Sequence, residues 1–93
     1  MSRKARIQSL LDEAAMEIFH HIKDSEVSYP ERWVPAADIK DELGLKLHSY
    51  PRENTIYCET GWLFGTLARI LEDKDLVEFR KTKNRAFYRT VSA

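Results

Sequence analysis

The sequence predicts an α+β domain: three helices packed on a small antiparallel sheet. Three observations carry that expectation. A long apolar stripe of helical period occupies residues 5–24, shorter helical stretches follow near 36–43 and 60–72, and the chain closes on two runs of strand formers around a polar turn. Ninety-three residues make a single domain, 1–93, with no room for two cores.

In the first stretch Ile7, Leu10, Leu11, Ala14, Ala15, Ile18, Phe19 and Ile22 recur at i, i+3, i+4, i+7 over four turns, while Asp12, Glu13, Glu17 and Lys23 lie off the stripe. So long a helix either lies across the core or uses its surplus length, together with the C-terminus, to pair two copies of the chain as a homodimer. Residues 24–35 form a connector in which Pro30 and Pro35 discourage helix. Within it Trp33 is expected in the core or at the sheet edge. Pro35 favours the first turn of a helix over 36–43, Ala36, Ile39 and Leu43 share its apolar face, and Gly44 stops it.

Residues 46–59, KLHSYPRENTIYCE, leave two alternatives open: an ordered loop, or a third helix that begins near Asn54-Thr55 and carries Gly61 inside it at about 1 kcal/mol relative to Ala. From Thr60, a plausible N-cap, the helical period is clear. Phe64, Leu67, Ala68 and Leu71 share one face, and Trp62, Gly65, Thr66 and Arg69 the opposite one. The polar run Glu72-Asp73-Lys74-Asp75 ends that helix. Val77, Phe79, Phe87, Tyr88 and Val91 then favour strands, and Lys83-Asn84 supplies the turn, Asn being tolerant of positive φ. With a two-residue loop Thr82 pairs with Arg85, Phe79 with Tyr88, and Glu78 with Arg89, the last a favourable cross-strand charge pair. The aromatic residues of this hairpin are expected to anchor it to the core while the cations project.

The stretch LEDKDLVEFRKTKNRAFYRTV resembles the end of a winged helix-turn-helix domain: a helix closing on leucine and a charged run, then leucine-valine, then a two-stranded wing. VPAADIKDELGL is similar to the first helix of such a motif. The resemblance implies a winged-helix fold in which the helix near 60–72 is the recognition helix and the basic wing, 77–91, touches DNA backbone. It also implies that Trp33-Val34 joins the wing sheet. Members of the family usually carry Gly, as a left-handed helix cap, where this chain has Asp75. Asp enters that conformation more readily than most side chains.

The formal net charge is zero, but its distribution is polarised. Arg80, Lys81, Lys83, Arg85 and Arg89 lie in a segment without an acid, as do Arg3, Lys4 and Arg6 at the N-terminus, so these two places hold eight of the fifteen basic residues. The rest of the chain is acidic. Because the Debye length is about 8 Å at physiological salt, the local field and not the net charge governs phosphate binding. Candidate DNA contacts are therefore Arg80, Lys81, Lys83, Asn84 and Arg85 on the wing, Arg3, Lys4 and Arg6 as an N-terminal arm, Thr66 and Arg69 on the recognition helix, and Arg52 upstream of it.

Other function classes find little support. Cys58 is a lone cysteine, which excludes an internal disulfide and fits a reducing cytoplasm. No phosphate loop, Cys-x-x-Cys or nucleophile motif occurs, so neither enzyme chemistry nor a cofactor is expected. His20 and His21 point about 100° apart on their helix, and the Glu17/His21 and His20/Asp24 pairs read as helix-face contacts and not as metal ligands. No apolar run is long enough to cross a membrane, and no apolar segment follows the basic MSRKARIQSL, so no secretion signal is expected. The expectation is a small sequence-specific binder of double-stranded DNA, a transcriptional regulator of the cytoplasm, associated with the nucleoid or, in a eukaryote, nuclear. The alternatives are a winged-helix module that binds protein and not DNA, and a single-strand or RNA binder using Phe87 or Tyr88 for stacking, which their expected place against the core disfavours.

Overall fold

The computed structural model describes residues 2–45 and 62–91. Three helices and a three-stranded antiparallel sheet occur in the order α1 (Arg3–Ser25), β1 (Val34–Pro35), α2 (Ala36–Glu42), α3 (Trp62–Asp73), β2 (Val77–Thr82) and β3 (Arg85–Thr90). The sheet order is β1-β3-β2.

The helix α1 begins two residues earlier than its apolar stripe predicts, because Ser2 caps it: the Ser2 hydroxyl accepts the Ala5 N–H at 3.1 Å. Arg3, Lys4 and Arg6 are therefore turns of helix and not an extended arm. Only the second half of the stripe is core. Ala15, Ile18 and Ile22 are buried, whereas Ile7 and Leu10 are 59% and 51% exposed. The helix thus overhangs the domain by its first two turns, Leu11 being the first stripe residue packed against the core.

Both later helices end in the same way. At the end of α2, Leu45 N–H bonds to Lys40 C=O at 2.7 Å and Gly44 N–H to Asp41 C=O at 3.3 Å, with Gly44 at φ +70°. At the end of α3, Leu76 N–H bonds to Leu71 C=O at 3.0 Å and Asp75 N–H to Glu72 C=O at 2.9 Å, with Asp75 at φ +59°. Both are Schellman closures, in which a left-handed residue lets the orphan carbonyls find donors. Asp75 takes the left-handed position that the chain's departure from Gly had put in question.

The core lies between α1, α3 and one face of the sheet. Phe64, Leu67, Ala68 and Leu71 of α3 are buried against Ile18 and Ile22 of α1, Ala36 and Ile39 of α2, and Val34, Val77 and Tyr88 of the sheet. Phe64 meets Tyr88 edge-on, ring centroids 5.5 Å apart, which fixes α3 on β3. Burial raises the Tyr88 pKa to about 12, with Glu72 adding to the shift.

A buried carboxylate holds the base of the hairpin. Glu26 is only 6% exposed and accepts from the Thr90 N–H at 2.9 Å and from the Thr90 hydroxyl at 2.6 Å. Arg32 places an Nη1 at 3.4 Å from the same carboxylate and donates to the Thr90 C=O at 3.3 Å. A buried carboxylate with this many donors is satisfied by hydrogen bonds and fixes the end of β3 against the connector.

Candidate nucleic-acid interface

The hairpin register is the one the two-residue loop predicts: Thr82 opposite Arg85, Phe79 opposite Tyr88, Glu78 opposite Arg89. The positive φ of the turn falls on Lys83, at +44°, and not on Asn84. Side chains alternate between the two faces of a strand. Val77, Phe79 and Lys81 therefore share a face with Ala86, Tyr88 and Thr90, while Glu78, Arg80 and Thr82 share the other with Arg85, Phe87 and Arg89. The first face covers the core as far as Phe79, whose ring packs on Tyr88 at 5.2 Å and remains 43% exposed.

Arg80, Lys81, Lys83, Asn84 and Arg85 are all exposed, and no acid lies among them. The tip sits beside the start of α2, where Pro35, Ala36, Ala37 and Lys40 line a shallow pocket together with Asn84, Arg85 and Ala86. Lys40 adds a further cation there. Arg89, by contrast, is consumed by structure. It pairs with Glu78, donates to the Glu31 C=O at 3.0 Å and lies 4.1 Å from the Trp33 ring centroid.

On α3, Gly65, Thr66 and Arg69 are exposed, on the side away from the buried Phe64, Leu67, Ala68 and Leu71. Arg69 reaches Asp73, one turn on, at 3.8 Å. Both side chains are more than 70% exposed, so this pair is weak and yields readily to a phosphate. A Cβ built on Gly65 would meet nothing within 4 Å among the described residues. No described helix packs against Gly65. Arg3, Lys4 and Arg6 occupy the exposed start of α1. Arg52, Cys58, Thr60 and the whole of 46–61 lie outside the described residues.

One aromatic placement differs from expectation: Tyr88 does face the core, but Phe87 lies on the opposite face and is only partly buried. Of the two places expected for Trp33 it takes the sheet edge, half-buried directly before the edge strand β1. It stands over the outward face between Arg89 and Arg80, whose guanidinium carbon is 5.8 Å from the ring centroid. Trp33, Phe87, Arg80, Thr82, Pro30 and Glu31 line an open pocket of about 240 Å³. Its wall is a turn in which Glu31 and Arg32 both have positive φ, +54° and +65°, closed by Trp33 N–H to Pro30 C=O at 3.1 Å. Left-handed backbone at two such residues costs on the order of 1–2 kcal/mol each. The hydrogen bonds from Arg89 and Arg32 described above offset it. Nothing local in the sequence signals this turn, since its partners are 58 residues away.

His21 is not paired with Glu17 as its spacing suggests. Its Nε2 lies 3.2 Å from Glu42 of α2. Among the described residues no group of three potential metal ligands comes together, and no helix is long and apolar enough to cross a membrane. No family model, curated protein or solved structure matches the chain.

Proposed function

We propose that this chain is a winged helix-turn-helix domain that binds double-stranded DNA and acts as a transcriptional regulator, with α3 directed at the major groove and the β2–β3 hairpin as the wing on the phosphate backbone. The observation that carries the reading is the wing tip: Arg80, Lys81, Lys83 and Arg85 project from a hairpin whose opposite end is anchored by Glu26 and Tyr88. Four like charges so close repel one another, and none of them makes an ion pair among the described residues. Opposite a phosphate backbone the same charges release counterions and gain affinity. Thr66 and Arg69 give α3 a small set of groups able to contact base edges.

The overhang of α1 supports a homodimer. Arg3, Ile7, Leu10, Ala14 and Glu17 form an exposed stripe, cationic at one end, apolar in the middle and anionic at the other. Two such stripes laid antiparallel about Leu10 set Arg3 against Glu17 of the second copy and close Ile7, Leu10 and Ala14 between them. Two wings related by a two-fold axis would address two half-sites.

A second reading, a winged module that binds protein and not DNA, draws on Glu72, Asp73 and Asp75, which surround the end of α3 with negative charge. A gel shift against random-sequence duplex at low salt separates the two. The DNA reading expects a retarded complex that disappears as salt is raised. Absence of any complex at 20 mM salt, with the protein folded, would leave the protein-binding reading in its place.

A further inference from the structure

Beyond duplex binding, we propose that the pocket between Trp33 and Phe87 receives one unpaired nucleobase, so that the outward face of the wing holds a single-stranded end or gap beside the duplex. The inference rests on the reading of the wing as a nucleic-acid surface and assigns a second, chemically distinct site on it.

Four features of the pocket point to that occupant. Its walls are aromatic, Trp33 and Phe87, and any base offers a π-face to stack on them without regard to sequence. Its rim carries both signs of hydrogen-bonding group. The Arg80 guanidinium makes no ion pair among the described residues and can donate to base acceptors, the Thr82 hydroxyl can do either, and the Glu31 carboxylate can accept from an exocyclic amine. Its volume, about 240 Å³, lies below the roughly 300–1,000 Å³ of sites that enclose larger small molecules, and suits a single planar ring system. Finally, Arg85 follows Phe87 on the same face of β3, two residues toward the tip. A strand whose base enters the pocket therefore runs its phosphates past Arg85 and Lys83. The indole is already clamped by Arg89, and the Glu31–Arg32 turn is fixed by side-chain hydrogen bonds, so the site is formed before a ligand arrives.

The test compares a blunt duplex with the same duplex bearing a three-nucleotide single-stranded overhang, and adds oligothymidylate alone. A Trp62→Phe background makes Trp33 the sole tryptophan. The overhang is expected to tighten binding about tenfold, within the range of base–aromatic stacking, and overhang and oligothymidylate are both expected to quench Trp33 while blunt duplex does not. Phe87→Leu is expected to remove the tenfold increment and leave blunt-duplex affinity within twofold. Equal affinity for blunt and overhang duplex without quenching of Trp33 would overturn the proposal, as would an increment that survives Phe87→Leu. Should Phe87→Leu fail to fold, the quenching in the Trp62→Phe protein decides alone. Quenching by oligothymidylate with no blunt-duplex complex would remove the duplex reading and keep this one. A bound blunt duplex with no overhang effect would do the reverse, and a pocket that quenches only with peptides or protein overturns it.

Discussion

On the exposed side of α3 stands one cation, Arg69, 3.8 Å from an acid of its own helix, and the helix runs out through Glu72, Asp73 and Asp75. On the hairpin that follows, Arg80, Lys81, Lys83 and Arg85 stand without an acid among them. Two elements that are consecutive in the chain, and joined through Phe64 and Tyr88, are thus charged in opposite senses. On the proposed reading the difference gives them different work: the hairpin would supply affinity through phosphate charge, which carries no sequence information, and α3 would supply discrimination through a few polar groups.

The comparison can be broken most forcefully by charge removal. Replacing Lys81, Lys83 and Arg85 together by Ala is expected to weaken binding to every duplex about 100-fold at physiological salt, with the far-UV spectrum and melting temperature unchanged. Arg69→Ala is expected to cost about tenfold and only on a preferred sequence, in the lower part of the range of about 1–3 kcal/mol that one base contact is worth. If Arg69→Ala were the more damaging on random duplex, the division of labour would be reversed.

A smaller effect tests the joint between the two elements. Tyr88 titrates near pH 10 when unfolded and near 12 when buried under Phe64, so the folded state favours its neutral form. Its contribution is fully present below pH 10 and is lost as pH rises through 12, about 3 kcal/mol in all. Urea unfolding at pH 9 and pH 11.5 should show most of that loss in the wild type and not in Tyr88→Phe.

The smallest expected effect is at Gly65. With no atom of the described residues near its would-be Cβ, Gly65→Ala should stabilise α3 by about 1 kcal/mol. If glycine is there so that the helix backbone can approach DNA, the same substitution lowers duplex affinity severalfold. Greater stability at unchanged affinity would show that α3 stands clear of the groove.

Much of this arrangement was legible in the sequence because it is written in local periods. The buried face of α3, the Lys83-Asn84 loop and the whole register of the hairpin follow from spacing and turn chemistry alone, and the charge polarity from counting. The Ser2 cap had a signal too, a serine three residues before the Ala5 N–H it accepts. Alternation places Phe87 opposite in sense to Tyr88 once Phe79 and Tyr88 are paired, so its outward position was available and was obscured by the assumption that aromatic side chains turn inward. Other features had no local mark. Glu26 sits in a polar connector that looks solvated, and its partner Thr90 is 64 residues away. The Trp33 pocket and its two left-handed residues depend on Arg89, which the sequence marks only as half of a cross-strand pair. Contacts that close over such separations are set by the assembled fold and not by any window of the chain.

The proposed division between a phosphate-binding hairpin and a base-reading helix is tested most directly by the salt dependence of duplex binding. Four wing cations predict that log K falls against log salt with a slope of about −3.6 per protomer, and that the Lys81/Lys83/Arg85 triple alanine variant flattens it to about −0.9. Parallel lines of equal slope for the two proteins would contradict the account.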